Sequence, residues 1–232
     1  MSSVRKSYFV AGTDTAVGKT LATCAMLRAA AAAGYTTVGM KPLAAGAVQT
    51  ADGLRNDDAL HLQAVSTLQL TYDEVNPVCL AEPASPHIAA ALAQRKLRVE
   101  RLAGFCQGVL SLRANFTLIE GAGGWRVPLN EREFMSDLAK QLQLPVILVV
   151  GMRLGCLNHA LLTAEAIVRD GLRMAGWIAN RIDPQMDHYE RNRDTLRGWF
   201  DAPLLAEIPH MPGSDAVAQA AACIALDHLL QP

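Results

Sequence analysis

Short β-branched and aromatic runs alternate with longer Ala- and Leu-rich stretches along this chain. The pattern predicts a strand over residues 7–11, a Gly-bounded loop over 12–19 and a helix over 20–33 that Gly34 ends. A second strand follows over 36–41, stopped by Pro42, and then a long Gly- and Ala-rich loop over 43–56. Residues 57–64 resume as a short helix with an acidic first turn, which suits the helix dipole. Beyond it the pattern predicts helix 98–112, a buried strand 116–120 ending in Glu120, a loop 121–124 and a helix near 134–143. Residues 145–150 are nearly all apolar, as expected of a central parallel strand covered on both faces. Helix 158–170, strand 174–180, helix 188–200, strand 204–208 and helix 216–230 complete the alternation. Repeated βα units with short loops predict one α/β domain, a mostly parallel sheet flanked by helices on both faces.

The 232 residues would also accommodate two small domains, but no repeat, low-complexity tract or Pro/Ser linker divides them. With 51% hydrophobic and 19% charged residues, intrinsic disorder is excluded. The apolar run 144–150 is far short of the ~20 residues that cross a bilayer. No stretch of signal-peptide length follows Arg5 and Lys6, so no membrane or secretory role is expected. A formal charge of −1 gives no general attraction to nucleic acid or anionic lipid, so any anion needs a local site. The five cysteines are scattered without a C-x-x-C pair, which predicts reduced core thiols and a cytoplasmic protein.

Such a local site is visible in Gly12-Thr13-Asp14-Thr15-Ala16-Val17-Gly18-Lys19-Thr20, between the first strand and first helix. One more residue separates its glycines than in the commonest P-loop, yet the physical requirement is met. The glycines allow close backbone approach, N–H groups face the phosphates and the helix N-terminus favours the anion. Lys19 would meet the β- and γ-phosphates and the Thr20 hydroxyl would ligate Mg²⁺. Glu120, at the carboxyl end of a strand, is the natural second Mg²⁺ ligand, and the glycines after it admit a substrate to the backbone. Asp58 reads equally as a metal ligand or as a helix N-terminal charge, and Asn180 as a purine reader or a turn residue. A second lysine, Lys41, suggests a phosphoryl acceptor other than water, whose developing charge needs neutralising.

Several ordered segments together resemble the dethiobiotin synthetase family. They are residues 12–20, Lys41-Pro42-Leu43-Ala44-Ala45-Gly46, Asn56-Asp57-Asp58-Ala59, Glu82-Pro83-Ala84-Ser85-Pro86-His87, Glu120-Gly121-Ala122-Gly123-Gly124-Trp125, 144–151 and 175–180. The resemblance runs from Tyr8 to about Pro209. It implies a P-loop NTPase fold and an ATP-dependent cyclo-ligase acting on 7,8-diaminononanoate and CO₂. In that family an amine is carbamated, the carbamate takes the γ-phosphate as a carbamic–phosphoric anhydride, and the second amine closes the ureido ring. Positioning and charge neutralisation would then supply most of the catalysis.

By this resemblance Lys19 and Lys41 are catalytic, and Thr20, Asp58 and Glu120 hold Mg²⁺. Thr13, Asp14, Thr15, Val17, Gly18, Lys19, Thr20, Asn180 and Pro209 bind ATP, with Asn180 reading the adenine. Lys41, Ala45, Gly123, Cys156, Asn158 and Tyr189 meet the diamine. The family is similar to a homodimer with substrate across the subunit boundary, where a helix start at 155–158 with Asn158 as cap would receive the substrate carboxylate. Ala16 stands where the family usually carries Glu, and Ala45 where it usually carries Ser. A cobyrinate-type amidase–ligase would need a further glutamine-hydrolysing domain. A ParA/MinD-like ATPase switch binding a protein partner would carry lysine just after the first P-loop glycine, where this chain has Thr13. A binding-only relic of the ligase is the other alternative.

Overall fold

The computed structural model of the protein describes residues 5–112, 114–211, 213 and 215–230. Strand β1 (Lys6–Gly12) delivers the chain into the Gly-rich loop, and helix α1 (Lys19–Ala32) leaves it. Gly34, at φ +88°, turns the chain out of α1 into β2 (Thr37–Met40). Lys41 is the first residue past that strand.

The segment expected to be a long loop over 43–56 is more ordered than its composition suggests. It holds β3 (Leu43–Ala44) and an antiparallel hairpin of β4 (Val48–Thr50) and β5 (Gly53–Arg55). Asn56 then caps α2 (Asp57–Val65), its side chain accepting a hydrogen bond from the Ala59 N–H. After α3 (Tyr72–Val75), β6 (Val78–Cys79) pairs in parallel with β3. Neither short pair is legible in sequence, because each is defined by its partner rather than by its own period.

Helix α4 (Pro86–Leu92) starts at Ser85 and Pro86, proline standing at the first helical position, where it lacks only an unused N–H. Then come α5 (Val99–Leu110), β7 (Phe116–Glu120), α6 (Met135–Leu142) and β8 (Val146–Gly151). Helix α7 (Cys156–Arg169) begins two residues earlier than expected. Its N-cap is Gly155, at φ +94°, a conformation open to glycine, so Asn158 lies inside the first turn and is not the cap. Strand β9 (Met174–Asn180), helix α8 (Tyr189–Trp199) and β10 (Leu204–Ile208) follow. The expected helix 216–230 is two pieces, α9 (Ala216–Ala222) and α10 (Asp227–Leu230). Between them the Ala225 N–H donates to the Leu205 carbonyl at 2.8 Å, tying the chain to β10 in place of continuing the helix.

Six strands form one parallel sheet in the order β10-β9-β8-β1-β7-β2. Both faces are covered, which explains the unbroken apolar runs of β7 and β8. Along β1 the side chains alternate between two cores, Phe9 and Ala11 in one, Tyr8 and Val10 in the other. The register sets Glu120 beside Val10, Gly12 beside Val149 and Asn180 beside Gly151. The polar strand ends are thereby gathered at one carboxyl edge, where ligands of open α/β sheets bind.

Candidate active site

The P-loop rests on the sheet through its backbone. Thr13 N–H donates to the Val149 carbonyl at 3.0 Å, and the Asn180 amide donates to the Val17 carbonyl at 2.9 Å. Val17 is buried beneath the loop and packs on Gly151, where an added Cβ would come within 2.7 Å of its methyl. Ala16 and Gly18 both take left-handed backbone, at φ +57° and +83°. That geometry curls successive N–H groups into a concave anion site. Asp14 stitches the loop together: its carboxylate accepts from the Thr15 N–H at 2.7 Å and from Arg153 at 2.8 Å, and its carbonyl accepts from Lys19 Nζ at 3.0 Å.

Opposite the loop stands a buried ionic cluster. Lys41, 4% exposed, donates to Glu120 Oε1 at 2.6 Å, Asp58 Oδ2 at 2.9 Å and the Gly121 carbonyl at 3.3 Å. Thr20 Oγ1 donates to the same Glu120 oxygen at 2.9 Å. Burial opposes the charge on Lys41, but the two carboxylates outweigh it and hold its ammonium pKa above the ordinary lysine value. Burial alone would raise the Asp58 carboxyl; the Lys41 charge and hydrogen bond outweigh it and keep the group below the usual range. Lys19 has weaker compensation. Burial first and then the Lys41 charge push its pKa down to about 8, against the pull of Glu120, Asp58 and Asp14.

Between these two walls opens a cleft of about 720 Å³. It gathers Thr15, Gly18, Lys19, Thr20, Lys41, Ala45, Asp58 and Gly123 from the expected set. Thr13, Asp14, Val17 and Asn180 support the loop from outside the cleft lining, and Glu120 is sealed beneath it. Asn180 Nδ2 is committed to Val17, which leaves Oδ1 as the atom able to face a ligand. Pro209 is an exposed residue just past β10. Cys156, Asn158 and Tyr189 do not line the cleft of their own chain. Cys156 is buried, which pushes its thiol up, while Asn158 is exposed on α7. Tyr189 packs in the core with its ring under the Arg181 guanidinium and its hydroxyl 3.4 Å from Glu207. Burial and Glu207 push that phenol up to about 12.

Sequence reading missed several walls of the cleft, among them Asn56, Pro83, Ala84 and Val127. All but Val127 lay inside segments carrying the family resemblance, so the signal was present without a role attached.

The oxygen donors fit a divalent ion. Glu120 Oε2 is buried without a hydrogen-bond partner, and hard oxygens lie near the same carboxylate: Thr20 Oγ1 bonds Oε1, and Asp58 shares Lys41 with it. No cluster of three or more His, Cys, Asp or Glu side chains exists among the described residues. Mg²⁺ is suited to that sparse set, since it is ordinarily held by one or two carboxylates together with substrate phosphates.

Fold and loop define a P-loop NTPase architecture. MinD from Pyrococcus horikoshii, solved with Mg-ADP, superposes with a TM-score of 0.58 at 17% identity, covering 96% of this chain and 88% of that one. Cobyrinic acid a,c-diamide synthase from Mycobacterium smegmatis, with ADP and magnesium, gives 0.52 at 13%, covering 94% and 91%. These likenesses establish the fold. An AAA-domain family model (AAA_26) matches residues 6–218. The ATP-dependent dethiobiotin synthetase BioD of Cellvibrio japonicus is 52% identical over 217 residues, 94% of this chain and 95% of the relative. The protein of the same name from Pseudomonas aeruginosa PAO1 is 51% identical over 215 residues, 93% and 94% of the two chains. The chain belongs to the dethiobiotin synthetase family, whose members are named as ATP-dependent enzymes.

Proposed function

We propose that this protein closes the ureido ring of dethiobiotin from 7,8-diaminononanoate, CO₂ and ATP, releasing ADP and phosphate. The observation that carries the reading is Lys41, a buried cation between Glu120 and Asp58 on the cleft wall facing the P-loop. A ParA/MinD-like hydrolase would place its second lysine inside the phosphate loop, where this chain has Thr13, whereas Lys41 stands across the cleft from the loop. A second, fixed cation suits transfer to an anionic acceptor such as a carbamate.

Each residue then has a task that its geometry supports. The loop N–H groups and Lys19 receive the β- and γ-phosphates, and Asn180 Oδ1 meets the adenine amine. Thr20, Asp58 and Glu120 would hold Mg²⁺, which supplies charge neutralisation on the transferring phosphate when bound. Lys41 steadies the carbamate oxygens as they attack the γ-phosphate, and the second amine closes the ring on the resulting carbamic–phosphoric anhydride. Gly123, at φ +65°, and Ala45 leave room for the diamine against the backbone.

Asn158 and Cys156 lie outside their own cleft, so a substrate contact from the α7 start requires a second copy of the chain. Exposed apolar residues on and next to α7, among them Leu154 at 94%, Leu162 at 57% and Val168 at 65%, support a homodimer built on that helix. No helix among the described residues is long and apolar enough to cross a membrane.

The test is phosphate release with MgATP, bicarbonate and the diamine, omitting each in turn, with mass detection of the cyclic urea. Release that needs every component supports the ligase. Release without the diamine points to an ATPase switch and a protein partner.

A further inference from the structure

Carbamation of an amine liberates a proton, and the cleft that would host it holds no free base. The titratable groups lining it are Lys19, Lys41 and Asp58. At neutral pH Lys41 is held as a cation by its two carboxylates, Lys19 is mostly a cation and faces the phosphate loop, and Asp58 is bound to Lys41. Glu120, beneath the floor, is bound to Lys41 and Thr20.

Ser85 also lines this cleft, and its behaviour is unusual for its position. It is the N-cap of α4, where a serine hydroxyl ordinarily accepts a backbone N–H of the first turn, yet its side chain makes no capping bond. Instead its Oγ lies 3.1 Å from His87 Nδ1. His87 does not line the cleft; it lines a separate open groove on the other side of the α4 start. The pair therefore links the cleft to the neighbouring groove through one hydroxyl and one imidazole, the side-chain type best suited to proton transfer near neutral pH.

Building on the ligase reading above, we propose that Ser85 and His87 form the proton exit for carbamation, with His87 as the general base acting through Ser85. The nitrogen lone pair bonds to the carbon of CO₂, and a C–O π pair moves onto oxygen to give the carbamate anion. As the N–H bond breaks, its proton passes to Ser85 Oγ while the Ser85 proton passes to His87 Nδ1, giving imidazolium. The imidazolium then releases a proton to water in the groove. Charged groups lining the same groove are Arg95, Lys96 and Arg98 of the segment after α4, and Glu131, Arg132 and Glu133 of the segment before α6.

The experiment compares the full-length protein with His87→Gln, Ser85→Ala and Ser85→Thr. Measured quantities are dethiobiotin formation, kcat/KM for the diamine from pH 6 to about 9.5, and ATP affinity. His87→Gln and Ser85→Ala should each lose roughly 10²-fold in kcat/KM at neutral pH with ATP affinity kept. The deficit should shrink as pH rises and hydroxide takes that proton in place of the relay. Ser85→Thr, which retains a hydroxyl, should stay within about fivefold of wild type. A deficit equal at every pH, or His87→Gln within about threefold of wild type throughout, overturns the relay. Should His87→Gln fail to fold, the Ser85 pair decides alone, since a relay requires Ala to fail where Thr succeeds. Wild-type protein that makes no cyclic urea would instead sink the ligase reading itself.

Discussion

Lys41 Nζ lies 2.6 Å from Glu120 Oε1, both side chains being buried, Glu120 fully and Lys41 up to the cleft wall. A buried pair of this kind contributes little net stability while intact, but removing one partner strands the other charge at a cost of about 3–5 kcal/mol. Lys41→Met should therefore lower the unfolding free energy of nucleotide-free protein by about that amount in urea titrations. Millimolar Mg²⁺, as a replacement cation for Glu120 and Asp58, should return part of the loss, and should do little for wild type, where Lys41 already fills that role. A loss under about 1 kcal/mol would mean that Glu120 is neutralised in another way.

Lys19 couples nucleotide binding to pH. Its pKa of about 8 in the nucleotide-free protein lies below the usual lysine range, so between pH 8 and about 10.4 the folded state holds fewer protons than the unfolded chain. Phosphate contact favours the charged form and raises that pKa. ATP binding at pH 8 should then take up about half a proton, and affinity should weaken above pH 8 by up to tenfold per pH unit. Titration calorimetry in buffers of different ionisation enthalpy measures the uptake. Proton release on binding, or none at pH 8, would contradict the assignment.

Gly18 is the tightest point of the loop. Its φ of +83° disfavours any side chain, and a Cβ there would sit 2.0 Å from Asn180 Nδ2. Gly18→Ala should cost about 1–3 kcal/mol of stability and reduce ATP affinity at least tenfold. Adding Asn180→Ala removes the clash but not the backbone strain, so thermal unfolding of the double variant should recover only part of the deficit.

Ala45 lines the cleft and, with its methyl, cannot hydrogen-bond a substrate. Ala45→Ser adds a hydroxyl at the cleft wall and, on the proposed function, should raise kcat/KM for the diamine by up to about tenfold, the worth of one hydrogen bond of 0.5–1.5 kcal/mol. Steady-state kinetics on both proteins decides it; an unchanged kcat/KM removes Ala45 from the substrate site.

Much of this protein was legible before folding. The alternation of apolar strands and Ala-rich helices determined a parallel α/β sheet, because strands covered on both faces must be apolar throughout. The spacing of Gly12, Gly18, Lys19 and Thr20 determined a phosphate loop, because the chemistry is local to one turn and one helix start. What lay beyond local pattern had to come from the tertiary structure. Asp58 stands in the acidic first turn of α2 as its sequence position suggests, but only the fold brings it 2.9 Å from Lys41, 17 residues away in sequence. Asn158 looked like a helix cap until Gly155 took that place with a left-handed backbone, and the helix expected over 216–230 broke where Ala225 paired with Leu205. Cys156 and Tyr189, placed by resemblance at the substrate, lie outside the cleft of their own chain. A charge cluster, a cavity wall or a helix break depends on distances between segments remote in sequence, and periodicity along one segment carries no information about those distances.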